Sequence, residues 1–266
     1  MLISDLITSR LNPKIKHLLQ LQKNQVRASE KLFVIEGLKE IEKAVSAGYF
    51  FHSVFFCTKL ISPLHLSELL HSEIDYPVYE VSHEVYEKIA YRENSGGVVV
   101  VAQSKTHSPE KISMASNPLY LVIEGIEKPG NLGAIYRTAD AAGIDAVFIC
   151  NPKTDIYNPN AIRASLGCVF TVPTSIMDNL SAISWLKKHR IQILSTYLQA
   201  AIPYHTANFK IPTAIVMGTE ATGITEEWVE ASDVNIIIPM RGQADSMNVS
   251  VSTAIVVFEA MRQRGF

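Results

Sequence analysis

A chain of 266 residues, 47% hydrophobic and 19% charged, can bury one large or two ordinary cores and carries no signature of disorder. Its formal net charge of −2 does not advertise nucleic acid by bulk electrostatics, a weak argument against it because a local basic patch can serve in a neutral protein. Cys57, Cys150 and Cys168 form no CxxC pair, the usage of buried thiols in a reducing compartment. The eight histidines show no metal-ligand spacing, so no metal is expected. The N-terminus lacks the layout of a signal peptide, and no apolar run approaches the roughly 20 residues of a membrane helix. A soluble, cytoplasmic protein with no membrane partner is the expectation.

In chain order, helical patterning covers residues 13–25, and Phe33-Val34-Ile35 reads as a short strand ending at Glu36-Gly37. A helix over 38–47, strands over 53–57 and 78–81, a helix over 83–90 and a strand over 98–102 follow. The first 31 residues hold Arg10, Lys14, Lys16, His17, Lys23, Arg27 and Lys31 against Asp5 and Glu30. That cluster is either a solvated helix face or a phosphate-contacting surface. The polar stretch 103–118 reads as a linker. The expected division is therefore a small α/β domain over 1–103, a linker over 104–117 and a second domain over 118–266.

Downstream, strands at 119–123, 146–149, 169–172, 191–195, 213–217 and 234–238 alternate with helices. Such alternation implies a mostly parallel sheet covered on both sides. The last helix, over 249–262, carries Val251, Ala254, Ile255, Phe258 and Met261 in the stripe of a packed helix. Three polar segments sit where apolar strands end: Asn131 to Arg137, Gly218-Thr219-Glu220 with Gly223, and Ser246-Met247-Asn248. Ligands of open α/β sheets bind outside the carboxyl ends of the strands, so one converging site is the economical reading. Each residue alone has a structural alternative. Asn131 can cap a helix, Arg137 can pair with Glu124, Glu220 can be a loop carboxylate, and Ser246 or Asn248 can cap the last helix. Neither G-x-G-x-x-G after the first strand nor a Walker A pattern is present, which argues against a standard dinucleotide enzyme or P-loop NTPase.

The segments PGNLGAIYRTADAAG, IVMGTEATGIT and IIIPMRGQADSMNVSVSTAIVVFEA closely resemble the three motifs of the SpoU (TrmH-like) branch of the SPOUT RNA methyltransferases. Arg163-Ala164-Ser165-Leu166-Gly167 also resembles a family segment, and the N-terminal region is similar to the ribosomal-protein-like substrate-binding domain that precedes many of these catalytic domains. The resemblance implies S-adenosylmethionine as cofactor, an RNA ribose 2′-hydroxyl as acceptor, a C-terminal trefoil knot, and a homodimer formed through the methyltransferase domain. RNA, not DNA, is the implied partner, with ribosomal RNA ahead of transfer RNA. By motif position, Gly218, Ile238 and Met247 match cofactor contacts, while Asn131, Arg137, Glu220, Ser246 and Asn248 match the polar catalytic set. The sequence departs from the common pattern at Lys128, where Asp is frequent, at Ala221, where Gly is usual, and at Met247, where Leu is usual. The competing readings are a transfer-RNA methyltransferase, a catalytically silent RNA-binding homologue and a small-molecule α/β enzyme.

Overall fold

The computed structural model describes residues 3–70, 75–91, 96–219, 222–243 and 246–266. The chain forms two compact units. Met1–Thr106 with Asp155–Thr171 make the first, and His107–Thr154 with Val172–Phe266 make the second.

In the first unit the order is β1 (Ile3–Ile7), α1 (Pro13–Gln20), α2 (Asn24–Glu30), β2 (Leu32–Glu36), α3 (Leu38–Ser46), β3 (Phe51–Phe56), α4 (Pro63–Leu70), β4 (Val78–Val81), α5 (His83–Ile89) and β5 (Val98–Gln103). The sheet runs β1-β4-β3-β5-β2, with β1, β4 and β3 parallel and β5 antiparallel to both its neighbours. The helix expected over 13–25 is two helices. Arg27 explains the break: its buried guanidinium donates to the carbonyls of Leu21 at 2.9 Å and Gln22 at 2.7 Å, satisfying groups left open at the end of α1.

The chain then enters the second unit with β6 (Leu119–Glu124), α6 (Pro129–Ala141) and β7 (Ala146–Cys150). It returns to the first unit for α7 (Pro159–Ala164) and α8 (Cys168–Thr171). The sequence boundaries assigned this whole stretch to the second domain. Aromatic packing instead ties it to the first, since Tyr157 stacks on Phe33 at 4.1 Å and Phe170 meets Tyr49 edge-on at 4.9 Å. The strand expected over 169–172 is the short helix α8. A brief apolar run has no period by which strand and buried helix can be told apart.

The second unit continues with β8 (Thr174–Met177), α9 (Asn179–Lys188), β9 (Gln192–Thr196), β10 (Ala201–Pro203), β11 (Thr213–Met217), α10 (Glu226–Ala231), β12 (Val234–Ile237) and α11 (Val249–Arg264). Its sheet has seven strands, β10-β12-β9-β11-β6-β7-β8, all parallel. Every residue of β6, β7 and β11 is buried, as central parallel strands require. Strand order proceeds outward from β6 through β7 to β8, then resumes at β9 on the far side of β11. The topological switch point therefore lies between β6 and β11, whose carboxyl ends lead into the first two polar segments.

The stripe expected to pack on α11 is not its buried face. Val249, Thr253, Val256, Val257 and Ala260 are buried, while Val251 is 50% and Phe258 40% exposed. The apolar residues of this helix run nearly all round, so sequence period alone did not choose between faces.

Candidate active site

At the carboxyl end of β11 the chain turns back on itself. The Thr219 N–H donates to the Gly223 carbonyl at 2.9 Å and the Gly223 N–H to the Thr219 carbonyl at 3.1 Å. Gly218 has no room for a side chain, because a Cβ there would lie 2.2 Å from the Gly223 carbonyl carbon. At the end of β6, Gly125 adopts φ +62°, and a Cβ would lie 2.8 Å from Thr219 Cγ2. Two strand ends thus meet across two glycines.

Glu124, the last residue of β6 and only 3% exposed, fastens the other end of this loop. Its Oε2 accepts from the Thr225 N–H at 2.9 Å and its Oε1 from Asn179 Nδ2 at 2.6 Å. The carboxylate is therefore not the partner of Arg137 that the sequence allowed. Cys150, at the end of β7, is no nucleophile: burial pushes its thiol up to about 12, with Glu124 and Asp178 adding to the effect. All three cysteines are buried and free.

The loop forms one wall of a cavity of about 440 Å³ beyond the ends of β9, β11 and β12. Gly218, Ile238, Met247 and Ser246 all line it, so four of the residues singled out in sequence come together here. Its apolar surfaces come from Met217, Ile236, Ile238 and Met247, and its hydroxyls from Thr196, Thr219, Ser246 and Ser252. A small molecule with a flat apolar part and several polar groups fits such a lining. Thr196, the last residue of β9, and the three residues after it also belong to the cavity. The sequence reading counted three strand ends and missed this fourth, although an apolar strand closing on Ser195-Thr196 carried the same signal.

A second cavity of about 130 Å³ adjoins the first and shares Thr219 and Val249 with it. Its other walls are Gly125, Ile126, Glu127, Lys128 and Asn131. Helix α6 begins at Pro129 with Lys128 in the cap position, so Asn131 lies inside the first turn and is not the cap. Its Oδ1 accepts from Asn248 Nδ2 at 3.1 Å. Asn248 also caps α11, its Oδ1 accepting from the Ser250 N–H at 3.0 Å. One amide thus serves the helix with its oxygen and Asn131 with its nitrogen. Arg137 lies exposed on α6 and lines neither cavity. Glu220 and Ala221 lie outside the described residues.

A parallel α/β sheet with a nucleoside-sized cavity at its switch point, and a smaller polar cavity across a shared wall, has the layout of an enzyme that passes a group between two ligands. Residues 118–258 match the SpoU rRNA Methylase family, and residues 12–100 match the MRM3-like substrate binding domain. The chain belongs to the SpoU rRNA methylase family, as its three motifs implied. It is 29% identical over 252 residues, 95% of this chain and 97% of the relative, to the 23S rRNA (guanosine(2553)-2'-O)-methyltransferase RlmP of Bacillus subtilis. It is 35% identical over 213 residues, 77% of this chain and 85% of the relative, to the 23S rRNA (guanosine-2'-O-)-methyltransferase RlmB of Haemophilus influenzae. Among solved structures, the AdoMet-bound rRNA methyltransferase from Sinorhizobium meliloti superposes with a TM-score of 0.90, at 28% identity, covering 98% of both chains.

Proposed function

We propose that this chain transfers a methyl group from S-adenosylmethionine to a ribose 2′-hydroxyl of ribosomal RNA. The observation that carries the reading is the pair of adjoining cavities that share Thr219 and Val249, one sized for a nucleoside and one lined by Asn131, whose amide oxygen is held by Asn248. The larger cavity suits the cofactor. Gly218 lines it with backbone, Ile238 and Met247 offer apolar faces to an adenine, and Ser246 offers a hydroxyl. When bound there, the sulfonium supplies an electrophilic methyl group. The protein's task is then to hold a ribose oxygen in line with it at near-attack distance.

Asn131 and Asn248 orient the ribose, and Ser246 lines the larger cavity. Arg137 clamps a substrate phosphate and stabilises the developing alkoxide as a fixed cation, a role that suits a planar guanidinium with several N–H donors. Glu220 holds Arg137 or the loop that carries it. Because Arg137 lines neither cavity of its own chain, the reading includes a homodimer through the second unit, formed over the exposed Val251 and Phe258 of α11 and the Phe266 that follows it. Helix α11 packs on α6, so that interface lies close to Arg137. The trefoil knot of the family belongs to the same proposal. It departs from the usual avoidance of threaded chains, and α11 returning to pack on α6 and β11 after β12 is the path that suits it. Ribosomal RNA as substrate follows from the names of the relatives, and a cytoplasmic location follows from the substrate. No helix among the described residues is long and apolar enough to cross a membrane.

The test is transfer of labelled methyl to ribosomal RNA from cells lacking the protein, with the site mapped as a 2′-O-methyl. Arg137→Ala is expected to abolish transfer while calorimetric cofactor affinity stays within a few-fold of the parent. No label in RNA, or cofactor binding lost with Arg137, would overturn the assignment.

A further inference from the structure

The family-like segment Arg163 to Gly167 has no place in the site described above, because it folds with the first unit. It is held there firmly. Asp155 accepts from buried Arg27 at 2.6 Å, Tyr157 and Phe170 pack on Phe33 and Tyr49, and α7 lies against β2. What this anchoring presents to solvent is Arg163, the one charged residue of α7. Its guanidinium carbon lies 5.5 Å from the centroid of the Tyr91 ring. Tyr91 is 51% exposed, and its backbone N–H is fixed by Glu36 Oε2 at 2.8 Å. Among the described residues no carboxylate pairs with Arg163.

We infer that Tyr91 and Arg163 form a stacking platform for an unpaired nucleobase of the RNA substrate, with the Arg163 charge available to the neighbouring phosphate. This rests on the proposed function, which supplies RNA as the partner. Proteins read unpaired RNA by laying bases on aromatic rings and on guanidinium planes. A ring held by its own backbone and flanked by an unneutralised guanidinium offers both surfaces at one point. The cleft beneath, between Gln22, Glu36, Tyr91 and Arg163, has a volume of about 30 Å³. That is room for about one water and not for a base, so the base lies on the platform and not in a pocket. The anchoring also removes the ordering cost that a flexible arginine would bring to the contact. The segment thereby acquires a function that packing alone does not require, since α7 is already secured by its buried face.

The test uses the full chain and measures anisotropy of a labelled 23S rRNA transcript fragment that the wild-type protein methylates. Tyr91→Ala and Arg163→Met should each weaken binding about tenfold, within the range alanine substitution gives for one stacked base. Tyr91→Phe, which keeps the ring, should bind as wild type does. Arg163→Lys, which keeps charge without the plane, should lose most of the affinity. The double variant should lose less than the product of the single losses, because one base uses both groups. Cofactor affinity and melting temperature should not move. Wild-type affinity in both Tyr91→Ala and Arg163→Met, on RNA that is still methylated, overturns the platform alone. A wild-type protein that neither binds nor methylates RNA overturns the proposed function as well.

Discussion

Replacing Gly218 by alanine tests whether the loop after β11 is the cofactor wall. The added Cβ would stand 2.2 Å from the Gly223 carbonyl carbon, 2.3 Å from its oxygen and 2.4 Å from the Ile224 nitrogen. All three are backbone atoms, so no side-chain rotation relieves the overlap and the loop itself must move. Movement sacrifices the two reciprocal bonds between Thr219 and Gly223, at about 1 kcal/mol each, or leaves overpacking strain of about 1–3 kcal/mol. Either way, about 1–3 kcal/mol opposes the conformation that forms the cavity. Since Thr219, Thr222 and Gly223 all line that cavity, most of this cost should be met on binding. Calorimetry should show S-adenosylmethionine affinity falling by at least tenfold, with a melting temperature close to the parent's. Gly223→Ala is the informative contrast. Gly223 has open space around its Cβ position and φ +69°, so alanine there costs about 1–2 kcal/mol of backbone strain without overlapping the loop's backbone, and its effect on binding should be smaller. Unchanged affinity in Gly218→Ala would remove this loop from the cofactor site.

Glu124→Gln should destabilise the second unit by about 2–3 kcal/mol in urea titration at neutral pH. An amide can accept from only one of Asn179 and Thr225, and the other donor is left facing an NH2 in a dry site; a loss below about 0.5 kcal/mol would show the staple to be idle. Acid should weaken the end of α11. Two bonds from Arg262 at 2.8 Å, with one from Gln263, hold the Glu259 carboxyl down to about 2 against its ordinary 4.5. A depressed carboxylate contributes stability that is fully present above about pH 4.5 and is lost as pH falls toward 2. Melts across that window should fall less steeply for Glu259→Gln than for the parent, and parallel curves would exclude the effect.

Most of the second unit was legible in its sequence because parallel strands buried on both faces are continuous apolar runs, and the polar residues closing them mark the crevice. Gly218, Met247 and Ser246 were read from strand-end segments and Ile238 from the family resemblance, and the four share a cavity. The Asn131–Asn248 bond, by contrast, spans more than a hundred residues of chain, and no local pattern announces it. Glu124 was legible as a carboxylate ending a buried strand, yet its partners Asn179 and Thr225 come from two later elements. Strand β1 and helix α4 were not read from the sequence. The α11 stripe failed because two apolar faces competed, and an exposed apolar face has the same composition as one already packed.

The same limit governs the domain boundary, and it has a consequence for dissection. Composition marks the polar stretch at 104–117, and the units do divide between Thr106 and His107. Composition cannot mark Asp155–Thr171, because a segment that packs its aromatics on a distant domain looks like any other core segment. Cutting at the linker alone therefore leaves Tyr157 and Phe170 without Phe33 and Tyr49, and Asp155 without Arg27. A fragment of residues 107–266 should expose these rings, bind a hydrophobic dye and aggregate on concentration. The same fragment with residues 155–171 replaced by a short Gly/Ser linker should stay monodisperse at the concentrations where the first aggregates. Equal behaviour of the two fragments would mean that the segment folds without the first unit, and Arg163 would then lose the rigid mounting on which its role in the first unit depends.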